Sequence, residues 1–212
     1  MKKPLSLILG QFKILTKFPG YLFKFVEMKK SKIADRYQDF VVEFTDYQIL
    51  ENEDEYQKDP LNFAYLIKAK EKKGLKRIVA IHQLSEEDDD NSTDVSKSFL
   101  RELDFYVKVR SYIGIPNFYG YYFAPEKSLI TEYLPNGSLS KIYNKLKKGG
   151  KQKYIDLWTD TFKAKLTFGI ACTMMHLHAF NANHRYLRAD VIFFDEEYNP
   201  KVTEFALSKI QI

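Results

Sequence analysis

Cysteine occurs once in 212 residues, at Cys172, so no internal disulfide can form. That usage fits a reducing compartment, and a cytoplasmic protein is the expectation. Glycine (nine) and proline (seven) are sparse, which excludes a collagen-like or linker-like chain. No apolar stretch reaches the ~18 residues of a membrane-spanning helix. The run Pro4–Leu9 follows Lys2 and Lys3 but is short, and no small-residue cleavage site comes after it. No segment repeats, which excludes a solenoid. His176, His178 and His184 lie close together, yet one cysteine and no matching carboxylate pattern give no zinc motif.

What is abundant is aromatic. Seventeen Phe and fifteen Tyr, within 45% hydrophobic residues, supply a sizeable core. The net charge of +5 is uneven, because residues 1–33 hold eight Lys and one Glu. This basic start can touch an anionic membrane surface, serve as a solvated linker, or pack on the domain. No nucleic-acid motif accompanies it, so nucleic acid is not an expected partner.

The hydrophobic pattern predicts strands at Asp46–Leu50, Phe63–Ala69 and Ile78–Ile81. A helix follows from Asp94 to Tyr112, with Phe99, Leu103, Tyr106, Val107 and Arg110 at helical spacing and Glu102 on the same helix. Strands at Tyr119–Phe123 and Ser128–Glu132 lead to a turn, and Ser138 is placed to cap the helix behind it. A long helix spans 161–180, with Phe162, Leu166, Ile170, Met174 and Leu177 as its apolar face and Cys172 read as core. Strands ahead of helices predict an α+β chain, a sheet-rich lobe followed by a helical one.

Four segments in order resemble the protein kinase family. They are Val79-Ala80-Ile81-His82, Phe99-Leu100-Arg101-Glu102, Leu129-Ile130-Thr131-Glu132-Tyr133-Leu134, and the run from His184-Arg185-Tyr186 through Glu204-Phe205-Ala206. The wording of the third leans toward the tyrosine-kinase-like group. The resemblance implies a basic segment of unassigned role at 1–46, a kinase-like N-lobe through the hinge at 47–134, and a partial C-lobe at 135–212. It further implies a cleft in which Leu66, Ala80 and Phe193 enclose an adenine, Thr131 gates the space behind, and Glu132 and Leu134 offer hinge backbone. His184 and Phe205 would join an internal hydrophobic spine.

The same resemblance marks what has changed. His82 stands where the family has the phosphate-binding lysine, and imidazole, with a reference pKa of about 6.5, is mostly neutral at neutral pH. Tyr186 replaces the catalytic aspartate, and a phenol does not accept a proton efficiently at that pH. Val191 replaces a metal-binding asparagine and has no ligand atom. Glu204 replaces the metal-binding aspartate, making it the one weak candidate metal ligand, and Ala206 replaces the glycine that follows. Threading the phosphate-covering loop through Phe63 sets Asp59, Leu61 and Ala64 at its glycine positions. Without its lysine partner, Glu102 reads as a surface or helix-face carboxylate.

Phosphoryl transfer depends on positioning and charge neutralisation, so these changes predict a chain with no catalytic residues and no efficient transfer. The expectation is a pseudokinase-like scaffold that requires no cofactor, can retain an ATP pocket, and has little use for Mg²⁺. Two alternatives stand beside it: an active or weakly active kinase using atypical residues, and a non-functional remnant. The chain ends six residues after Ala206, so a truncated kinase fold is expected. The apolar face of helix 161–180 would then be partly exposed, or covered by a protein partner or by residues 1–46.

Overall fold

The structure, a computed structural model, describes residues 37–50, 57–58, 64–84, 97–109, 112–123, 127–149 and 152–210. Asp59, Leu61 and Phe63 fall outside them, as do most of residues 1–46.

The sheet-rich lobe holds β1 (Tyr47–Ile49), β2 (Gln57–Lys58), β3 (Ala64–Glu71), β4 (Ile78–Leu84), β5 (Phe118–Tyr122) and β6 (Ser128–Glu132). They form an antiparallel sheet in the order β1-β3-β4-β6-β5, with β2 also on β3. Strand alternation sorts its two faces. Ile67, Ala69, Val79, Ile81 and Ile130 are buried in one core on one face. Ala80, His82, Leu129 and Thr131 lie on the other, with Ala80 opposite Thr131 and His82 opposite both Leu129 and Leu66.

Helix α1 (Lys97–Val109) is shorter than the predicted 94–112 and crosses this second face. Phe99, Leu103 and Tyr106 are buried there, as the helical spacing predicts, whereas Val107 is half-buried, Arg110 lies outside the described residues, and Phe105 and Val109, which the spacing did not single out, are fully buried. Residues 37–46, to which the sequence assigned no role, pack on the same lobe. Tyr37 enters the α1 core and its hydroxyl meets Asp104, while the Val42 N–H donates to Tyr121 O. Gly120 permits this close approach: a Cβ there would sit 2.7 Å from Phe40 O.

The helical part contains α2 (Leu139–Lys147), α3 (Gln152–Leu157) and α4 (Asp160–Ala179). Ser138 caps α2 by accepting from the Lys141 N–H, and Thr159 caps α4 by accepting from the Phe162 N–H. Behind α4 run β7 (Ala182–Asn183), β8 (Ile192–Phe194), β9 (Pro200–Val202) and β10 (Lys209–Ile210), paired as β8-β9 and β7-β10. Helix α3 and these short strands escape sequence periodicity, since two or three residues carry no repeat.

The apolar face assigned to 161–180 is not the one left open. Phe162, Leu166 and Leu177 are buried against the chain's own residues, and Ile170 and Met174 pack beside them. Phe168 and Met175, on other sides of α4, are the exposed ones, and Cys172 is only partly buried. Among the described residues no helix is long and apolar enough to cross a membrane.

Candidate functional site

The cleft between the lobes is walled on one side by β3 and on the other by β8. Leu66 and Phe193 line a cavity of about 130 Å³ together with Tyr133, Leu134 and Gly137 of the connecting segment. That is small beside the ~300–1,000 Å³ of pockets that enclose whole ligands. Ala80 and Thr131, which the sequence reading set around an adenine, are buried, and neither they nor Glu132 are among the described residues that line this cavity.

His82 does not point to a phosphate partner. Its Nε2 lies 2.9 Å from Thr131 Oγ1, and burial pulls its pKa down to about 4. The ring is neutral at pH 7 and occupied by its neighbour. Glu102 corrects its surface assignment. It is 7% exposed and its Oε1 accepts from the Phe205 N–H at 3.4 Å. Arg101, next to it on α1, donates to Ala206 O at 3.1 Å. Helix α1 thus grips the turn 204–206 directly, where the sequence offers only a missing lysine.

Phe205 is fully buried, stacked on Phe105 with centroids 3.8 Å apart and meeting Tyr106 and His184 edge-on. His184 is a core histidine whose Nε2 sits 2.8 Å from Thr203 O, and burial lowers its pKa. Burial, reinforced by the nearby charges of Glu102, Glu204 and Glu132, raises the Tyr106 phenol well above its usual value. Glu204 adopts φ +65° in the left-handed region, which is costly for a residue with a Cβ. It is 8% exposed.

The loop 184–191 carries a cluster that sequence reasoning missed. Arg188 Nη1 donates to the Tyr186 hydroxyl at 2.7 Å, and its Nη2 pairs with Asp190 Oδ2 at 2.9 Å. Asp190 Oδ1 is buried with no hydrogen-bond partner among the described residues. The available signal was simple: Asp190 is the one acid between His184 and Val191. Arg185 also sits at positive φ and donates to Leu207 O at 2.5 Å. Val191 is fully buried, and its carbonyl accepts from both the N–H and the hydroxyl of Thr203.

Glu132 does more than present backbone. Its carboxylate accepts from Asn117 and pairs with Lys201 at 3.0 Å, tying the hinge to β9. A divalent cation needs several oxygen ligands, and among the described residues no three His, Cys, Asp or Glu side chains gather to hold one.

The family model "Protein tyrosine and serine/threonine kinase" matches residues 62–211. Cysteine-rich receptor-like protein kinase 6 of Oryza sativa subsp. japonica is 39% identical over 88 residues, covering 40% of this chain and 12% of that protein. A probable serine/threonine-protein kinase of Dictyostelium discoideum is 34% identical over 138 residues, 63% of this chain and 14% of its own. Serine/threonine-protein kinase CTR1 of Arabidopsis thaliana is 33% identical over 89 residues, 41% and 10% respectively. The chain spans between a tenth and a fifth of the length of these relatives.

These matches overturn the expectation of a non-enzyme. The relatives are named as kinases, and no observation positively marks an inactive domain. A two-lobed arrangement with its cleft, hinge and buried phenylalanine turn in place, matched over residues 62–211 by the family model, makes this chain a member of the protein tyrosine and serine/threonine kinase family.

Proposed function

We propose that the chain is the cleft-bearing part of a protein kinase that transfers the γ-phosphoryl group of ATP to a serine or threonine hydroxyl, using an unusual set of charged residues. The hydroxyl oxygen forms a bond to the γ-phosphorus. The bond from that phosphorus to the β,γ-bridging oxygen breaks, ADP leaves, and the hydroxyl proton passes to a base. The carrying observation is the Tyr186–Arg188–Asp190 cluster, which puts a fixed cation and a carboxylate on the loop where the family does its chemistry.

Arg188 is assigned the charge-neutralising role. A guanidinium held by two partners is pre-oriented. Asp190 is assigned the base. Its side chain is 26% exposed, and its Oδ1 is buried without a donor, so taking the proton requires that oxygen to be uncovered. Little proton transfer is required early, because the transition state for phosphoryl transfer is loose. Glu102 and Arg101 position the 204–206 turn and are not assigned contact with substrate.

The acceptor follows the serine/threonine names of the relatives. The test is transfer of labelled phosphate from ATP to a mixed serine, threonine and tyrosine peptide pool. Label on hydroxyl residues that disappears in Asp190→Asn and Arg188→Met supports the assignment. No label from the wild-type chain, or label unchanged in both variants, sinks it.

A further inference from the structure

Between residues 139 and 153 the sequence has six lysines and neither Asp nor Glu. Spacing of four and three residues brings Lys141, Lys145 and Lys148 to one side of α2. They line a solvent-open hollow of about 500 Å³ with Ser138 and Ser140, and Asp190 forms part of its wall. Lys141 and Lys145 also line the cavity of the cleft, as does Lys153, so the hollow adjoins the cleft.

Among the described residues none of these four lysines forms an ion pair. Lys145 donates to the Tyr154 hydroxyl at 2.8 Å and lies over its ring, and Lys153 lies over the same ring. Lys141 and Lys148 engage no side chain. Like charges gathered along one short helix and its C-cap repel one another. An anionic occupant removes that repulsion. The hollow, about 500 Å³ and open to solvent, is too wide to enclose a small ion and leaves room for an extended segment, with Asp190 in its wall.

We infer that this lysine face docks an acidic peptide segment of the protein being phosphorylated, placing its hydroxyl residue near Asp190. The inference names the substrate class for the proposed function and rests on that reading, but the docking itself can be measured without ATP.

The test uses the full chain and fluorescence polarisation of a labelled decapeptide with one central serine among Glu and Asp, against its Gln and Asn counterpart. The acidic peptide is expected to bind at least tenfold tighter, and to weaken as salt rises, since screening shortens the reach of exposed charges. Lys141→Glu/Lys148→Glu is expected to weaken it roughly tenfold or more. The charge-matched control Lys73→Glu/Lys76→Glu, on the β3–β4 turn, is expected to leave it within about twofold. Lys141→Gln/Lys148→Gln, confirmed folded by its melt, provides a milder loss of the same sign. Equal binding of the two peptides, binding retained in both lysine variants, or an equal loss in the control overturns the inference. So does tripolyphosphate binding at the lysines where the peptide does not, which would make the face a phosphate site. Peptide binding without label transfer would leave the docking of an acidic segment standing and remove the reading of that segment as a substrate.

Discussion

His82 and Thr131 face each other across β4 and β6, with Nε2 and Oγ1 2.9 Å apart. The contact turns a position that the family uses for charge into a neutral hydrogen bond. Its cost is paid in acid: burial lowers the His82 pKa from 6.5 to about 4, so the unfolded chain binds a proton that the folded chain refuses. Stability attributable to this group is complete above pH 6.5 and is lost as pH falls from there toward 4. The loss approaches about 3 kcal/mol as an upper bound. His184, lowered in the same direction by burial, adds to the effect. Urea unfolding of wild type and His82→Gln between pH 7 and 4.5 is expected to show a shallower acid loss in the variant. Parallel curves would refute it.

Restoring the charge at the same place tests the cleft. His82→Lys is expected to raise phosphate transfer on the order of tenfold, the low end of what one well-placed electrostatic contact contributes. It is also expected to lower the melting temperature, because an ammonium must be buried there. An unchanged or lower rate in a folded His82→Lys protein would show that Arg188 alone sets the charge balance.

The Lys201–Glu132 pair, with side chains 7% and 20% exposed, ties β9 to the hinge. Removing one partner leaves a buried charge, so Lys201→Met is expected to cost about 3 kcal/mol. Adding Glu132→Gln is expected to return most of that loss. A denaturant double-mutant cycle checks it, and a coupling near zero would show that Asn117 alone satisfies Glu132.

Gly114 packs against α4. A Cβ added there would lie 1.8 Å from Thr173 Oγ1, in a fully buried position. Gly114→Ala is expected to destabilise by about 2–3 kcal/mol through overpacking. Thr173→Ala in that background is expected to recover part of it, because the hydroxyl is the atom in the way. Failure of the second substitution to help would place the strain in the backbone.

Strands β3, β4 and β6, the core of α1 and the span of α4 were legible because each repeats long enough for period two or 3.6 to stand out. Ser138 was legible as a cap for a local reason, since the capped N–H lies three residues away. The long-range contacts were not. Glu102 meets Phe205 across 103 residues, and Lys201 meets Glu132 across 69. Sequence read Glu102 as surface because its expected partner was gone, and nothing local announces a backbone donor arriving from the far lobe.

The substitutions at His82, Tyr186, Val191 and Glu204 were plain in the sequence, and so was the family pattern around them. Sequence alone therefore determined the class of fold and which positions depart from it. Only the tertiary structure decided what those positions touch: that His82 is spent on Thr131, that Arg188 bridges Tyr186 and Asp190, and that the lysines of α2 open onto the cleft. The division is physical. Periodicity and caps follow from a few neighbouring residues, whereas burial and charge pairing depend on which distant segments share one small volume.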